Sequence, residues 1–63
     1  MSKTLSDMVR DVDEHGTGLS YANTKFISDM LDKIHNHYPP VFSDGQARYI
    51  KSLWTLTVPE EWK

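Results

Sequence analysis

Three histidines are the side chains of this sequence best suited to hold a metal ion. His35 and His37 form an H-x-H pair, Asp32 lies three residues before His35, and His15 lies in an earlier segment. Such spacing puts both rings on one face of a strand but about 200° apart on a helix. The neighbouring residues have helical spacing, so we interpret the pair as the polar end of a helix, where histidine suits the helix dipole. We predict no metal ion and no other cofactor.

Catalytic motifs are not found in the sequence. Serine and histidine occur, but neither a nucleophile elbow nor an H-E-x-x-H motif is present. The acidic residues do not form an isolated pair in apolar surroundings, which is the arrangement that tunes a carboxyl group for acid–base catalysis. A chain of 63 residues also has difficulty enclosing a substrate pocket of about 300 Å³. We therefore predict that the protein is not an enzyme.

One predicted helix face is acidic. Asp7, Asp11 and Glu14 recur at positions i, i+4 and i+7, opposite the apolar stripe of the first helix. Such a row docks onto a basic groove of a partner or imitates the phosphates of DNA, and it is also the ordinary solvated face of an amphipathic helix. A net charge of −2 gives little charge density for DNA mimicry, which ranks below protein binding.

The third predicted helix presents the opposite charge. Arg48 and Lys51 flank Tyr49, so two cations stand beside an aromatic ring. Such a face can contact phosphates and stack on a base. Two cations are few compared with the roughly 6–10 phosphate contacts that give strong, salt-sensitive binding. Nucleic-acid binding through these three residues is therefore the alternative interpretation.

The two tryptophans have different expected roles. Trp54 continues the stripe of Ile50 and Leu53 and is expected in the core. Trp62 stands next to the C-terminal lysine, so it either folds back onto the helices or exposes a large apolar surface of the kind found at interface hot spots. The residues predicted to bind a partner are Asp7, Asp11, Glu14 and Trp62.

Apolar residues recur with helical spacing in three segments, which predict helices over about residues 5–15, 21–36 and 44–55. Gly16 is expected to end the first helix in the left-handed conformation. Pro39 is expected to end the second, because the residue before a proline is disfavoured in a helix. The fold class is all-α, a small three-helix bundle with an irregular C-terminal tail.

Capping residues support these helix starts. Thr4 precedes the first helix, and Ser20 or Asn23 can cap the second. Ser43 and Gln46 form an S-x-x-Q capping box, in which each side chain satisfies a backbone N–H of the first turn of the third helix.

The length of the chain permits a single small helical domain over residues 1–63. The sequence has no cysteine, so disulfides cannot reinforce a small core. The small core must then be stabilised by regular helix packing, by a protein partner or by formation of a homodimer. An apolar signal region and a membrane-length apolar run are both missing, so we expect a cytoplasmic protein without membrane contact.

Residues 26–54 contain an apolar helix (FISDML), a loop of about ten residues and the capped helix SDGQARYIKSL. This arrangement resembles a small helix–loop–helix segment of phage-encoded accessory proteins of DNA metabolism, in which S/T-x-x-Q begins the second helix. The resemblance implies a small phage protein acting in the host cytoplasm. Together these observations predict a non-enzymatic module that binds a larger host or replication protein as an inhibitor or adaptor.

Overall fold

The computed structural model describes residues 3–37 and 39–63, which form three α-helices and a short 3₁₀ turn. The helices are α1 (Leu5–His15), α2 (Tyr21–Asn36) and α3 (Asp44–Thr57), and the turn spans Glu60–Trp62. The predicted all-α three-helix bundle is confirmed. The first two helices have the predicted boundaries, whereas α3 continues two residues beyond the predicted end at residue 55.

Side chains cap the N-terminus of every α-helix. The hydroxyls of Thr4 and Ser20 each accept a hydrogen bond of 3.1 Å from the backbone N–H three residues later. Ser20 rather than Asn23 is therefore the cap of α2. The predicted capping box is complete, because Gln46 N donates to Ser43 Oγ at 3.1 Å and Ser43 N donates to Gln46 Oε1 at 2.9 Å.

The end of α1 differs from the prediction. Gly16 is extended, with φ −65° and ψ 139°, so the expected left-handed conformation is wrong. Gly18, two residues later, has the positive φ of 68°. Gly16 is instead required by a close approach, because a Cβ at this position would collide with the carbonyl oxygen of Val12 and lie 3.2 Å from Thr57 Oγ1. Its own N–H donates to Val12 O at 2.9 Å and closes the helix.

The core forms where α1 packs against both of the other helices. Val9 and Val12 are fully buried, and these small side chains allow the neighbouring helices to come close. The buried apolar residues are Val9, Val12, Ile27, Met30, Ile34, Ile50, Leu53 and Val58. Trp54, expected in the core, is half-buried and packs against this cluster.

Longer side chains connect α2 to α3. The rings of Phe26 and Tyr49 stack with centroids 4.4 Å apart. The Tyr49 hydroxyl donates a hydrogen bond to Asn23 Oδ1. Farther along, Lys33 Nζ donates to Gln46 Oε1 at 3.1 Å, so one glutamine both caps α3 and holds α2.

The loop between α1 and α2 is fastened to the end of α3. The backbone N–H and the hydroxyl of Thr17 both donate to Thr57 O, at 3.0 and 3.1 Å. This brings the end of α1 beside the last turn of α3, from which the C-terminal tail departs. Within the described residues, no helix is long and apolar enough to cross a membrane.

Candidate protein-binding surface

The carboxylates of α1 are divided between two surroundings. Asp7 and Glu14 are exposed to solvent, with exposed Arg10 between them in the sequence. Asp11 is turned toward α3, and its side chain is 18% exposed. The row of three predicted from the spacing is therefore two outward carboxylates and one that contacts the protein itself.

Asp11 joins the N-terminal segment to α3. Its Oδ2 atom accepts a hydrogen bond from Trp54 Nε1 at 3.0 Å and another from Lys3 Nζ, with which it also forms an ion pair. Burial by itself would raise the pKa of this carboxyl group. The hydrogen bonds from Lys3 and Trp54, together with the lysine charge, outweigh burial and lower the pKa below its ordinary value of 3.8.

Trp62 folds back onto α1 but stays accessible. Its ring stacks on the His15 imidazole with a centroid separation of 3.9 Å and an angle of 2° between the planes. Its carbonyl oxygen accepts a hydrogen bond of 2.8 Å from Lys3 Nζ, so the same ammonium holds both Asp11 and the tail. Trp62 nevertheless remains 48% exposed. The sequence left open whether Trp62 folds back onto the helices or exposes an apolar surface. In the structure the tail is docked on α1, and the indole is still partly exposed.

Three glutamates belong to the residues next to this tryptophan. The Glu14 carboxylate lies 3.7 Å from Nε2 of His15, the residue that stacks on Trp62. Glu60 and Glu61 immediately precede Trp62 in the 3₁₀ turn and are exposed. The Trp62 surface, defined here as Glu14, His15 and the turn Glu60–Trp62, therefore combines an accessible aromatic ring with a rim of carboxylates.

The basic face of α3 is arranged differently from the prediction. Arg48 and Lys51 are exposed. Tyr49, however, is engaged within the protein, because its ring stacks on Phe26 and its hydroxyl binds Asn23. Only the part of the ring turned away from Phe26 is available to a ligand, and Tyr49 is 40% exposed.

The histidines considered as metal ligands lie on different elements. His35 is on the last turn of α2 and His37 caps that helix, and both are exposed. His15 is at the end of α1 against Trp62. Over residues 3–37 and 39–63, no group of three or more metal-ligating side chains is found.

A groove of about 490 Å³ lies between the start of α1 and the segment that leads into α3. Leu5, Ile34 and Phe42 supply apolar lining, and Asp7 and Arg10 supply charges. Both charged residues are exposed to solvent, so neither lies in the water-poor surroundings that tune a catalytic group.

Comparisons with protein-family models, with curated proteins and with solved structures found no match to this chain. The resemblance of residues 26–54 to phage accessory proteins stays a prediction.

Proposed function

We propose that this protein is a non-enzymatic binding module that attaches to a larger protein, as an inhibitor or adaptor, through the Trp62 surface. The observation that carries the proposal is an indole that is 48% exposed and yet fixed, by the His15 stack and by the Lys3 hydrogen bond to its carbonyl. Tryptophan is enriched among residues that dominate binding energy. An indole already held in place loses little conformational freedom when a partner covers it.

The outward carboxylates extend this surface along α1. Glu14 borders the His15–Trp62 stack, and Asp7 lies two helical turns before Glu14 on an exposed part of the same helix. Asp11 supports the surface from within by binding Lys3, which in turn binds the tail. A standard interface takes about 800 Å² from each partner. The accessible surface of this protein is 4499 Å², so such an interface would occupy one side of the bundle.

Affinity capture from a lysate tests the proposal when the variants are matched. We expect Trp62→Ala to lose a protein that the unaltered chain retains, and Glu14→Lys to weaken its recovery. Tyr21→Ala is the control, because Tyr21 is an 85% exposed aromatic residue that does not belong to the Trp62 surface. Equal recovery with Trp62→Ala and Tyr21→Ala, with both variants folded by circular dichroism, would refute this binding surface.

Nucleic-acid binding through α3 is the second candidate, because Arg48 and Lys51 are both exposed on that helix. This candidate predicts a mobility shift with single- or double-stranded DNA at low salt that disappears at moderate salt. It further predicts that Arg48→Ala and Lys51→Ala reduce the shift. No shift at low salt would remove it.

The cellular setting follows from the same proposal. We place the module in the cytoplasm, that of the host cell if the protein is encoded by a phage, where a larger host or replication protein is its partner. Formation of a homodimer is compatible with this function and is measured by sedimentation equilibrium of the purified chain.

A further inference from the structure

The two tryptophans differ in the cations near their rings. The ammonium of Lys63 lies 5.2 Å from the centroid of the Trp54 ring, and that of Lys3 lies 5.9 Å from it. Among the described residues, no lysine or arginine is positioned over the ring of Trp62. One face of that ring is covered by His15. The indole electrons on the uncovered side are therefore available to a cation from outside the chain.

The charge of the Trp62 surface favours such a cation. Glu14, Glu60 and Glu61 are exposed near or beside Trp62. The neighbouring lysines are already engaged, since Lys3 binds Asp11 and Lys63 Nζ donates to Thr55 O at 2.9 Å. Carboxylates that border an aromatic ring attract a cation and then pair with it once it is stacked.

We infer that the Trp62 surface binds an arginine-bearing basic segment of its partner, with one guanidinium stacked on the free side of Trp62 and attracted by the exposed carboxylates of Glu14, Glu60 and Glu61. The inference rests on the proposed function, because it names the chemistry of the partner at the same surface. Guanidinium fits better than ammonium for two reasons. It is planar and stacks on an aromatic ring, and its fork of donors matches a carboxylate.

Peptide titration of the isotope-labelled full chain tests the inference directly. The probe is an acetylated, amidated peptide of alternating arginine and glycine, followed through the indole N–H resonances of the two tryptophans. We expect the Trp62 resonance to move while that of Trp54 stays in place, since Trp54 Nε1 is bound to Asp11. Binding should weaken as salt is raised, because the attraction is between exposed charges.

Control peptides and variants of the protein test whether binding depends on arginine and on Trp62. A lysine–glycine peptide should bind at least about threefold more weakly, because an ammonium lacks the stacking plane. A serine–glycine peptide should not bind. Trp62→Ala should abolish binding of the arginine peptide and Glu14→Gln should weaken it severalfold, whereas Tyr21→Ala should leave it unchanged.

Three outcomes would overturn the inference. The first is an unmoved Trp62 resonance at millimolar arginine peptide, and the second is equal shifts with the serine peptide or equal affinity for the lysine peptide. The third is concentration-dependent dimerisation that Trp62→Ala abolishes, because a second copy would then be the occupant. Capture of a protein through Trp62 without arginine binding would reject this inference and leave the proposed function standing. Arginine binding without such capture would reject the proposed function.

Discussion

Trp54 and Trp62 are eight residues apart and have opposite surroundings. Trp54 is half-buried against the core, and its indole N–H is bound to Asp11. Trp62 is nearly half exposed, rests on His15 by one face and is fastened through its backbone oxygen. The difference shows that one tryptophan joins α1 to α3, whereas the other is docked on α1 and keeps nearly half of its surface open to solvent.

The largest expected effect is the difference in stability between the alanine variants of the two tryptophans. Trp54→Ala removes packing against the core and one of the two hydrogen-bond donors to Asp11, so we expect a loss of about 2–4 kcal/mol in the free energy of unfolding. Trp62→Ala removes an exposed ring and should cost less than about 1 kcal/mol. Urea denaturation followed by circular dichroism measures both. Equal losses would mean that Trp62 is a structural residue and would break the comparison.

The next largest effect is expected at Asp11, whose carboxylate accepts the indole N–H of Trp54. Asp11→Ala removes the acceptor of two hydrogen bonds, one of them from an ammonium, and should reduce the free energy of unfolding by about 1–3 kcal/mol. Asp13→Ala is the matched control on the exposed surface of α1 and should change it by less than about 0.5 kcal/mol. If the two variants were equally stable, Asp11 would not be the link between α1 and α3.

The lowered pKa of Asp11 predicts that the stability of the protein falls at acidic pH. Because the folded-state pKa of Asp11 lies below its ordinary value of 3.8, its stabilising contribution is complete above that value and is lost as the pH falls through the folded-state pKa. We therefore expect the unaltered chain to lose more free energy of unfolding between about pH 4 and pH 2 than Asp11→Asn does. Parallel curves for the two proteins would contradict the pKa assignment.

The smallest expected effect is a stabilisation of the whole protein by a substitution away from both tryptophans. Gly45 lies in the first turn of α3, and a Cβ there would meet nothing within 4 Å. Gly45→Ala should therefore raise the free energy of unfolding by up to about 1 kcal/mol, because glycine is a poor helix former. Thermal unfolding checks this, and a lower melting temperature would contradict it. The stabilised chain is also a background in which Trp54→Ala can be compared with Trp62→Ala while both are folded.

Local features of the fold could be predicted from the sequence. The capping box of Ser43 and Gln46 and the caps at Thr4 and Ser20 depend on residues three positions apart. Their geometry is set within one helical turn, so pattern alone is sufficient. The close approach that requires a glycine at position 16 was not predictable in this way, because one of the atoms that a Cβ would meet belongs to Thr57 on another helix.

The candidate surface was only partly predictable for the same reason. Asp11 and Trp54 are 43 residues apart, and Lys3 reaches the carbonyl of Trp62 across 59 residues. Spacing placed Asp11 in an acidic row, although its position three residues after half-buried Met8 also marks it as a boundary site. The stack of His15 on Trp62 depends on how the tail leaves α3, and no short pattern specifies that direction.

The most direct measurement is nuclear magnetic resonance of the two tryptophan side chains in the unliganded protein. We expect contacts between the ring protons of Trp62 and those of His15, together with rapid solvent exchange of the Trp62 indole N–H and slow exchange at Trp54. Loss of the contacts with His15, or a Trp62 indole N–H that exchanges as slowly as that of Trp54, would contradict the claim that Trp62 is both fixed and open to a partner.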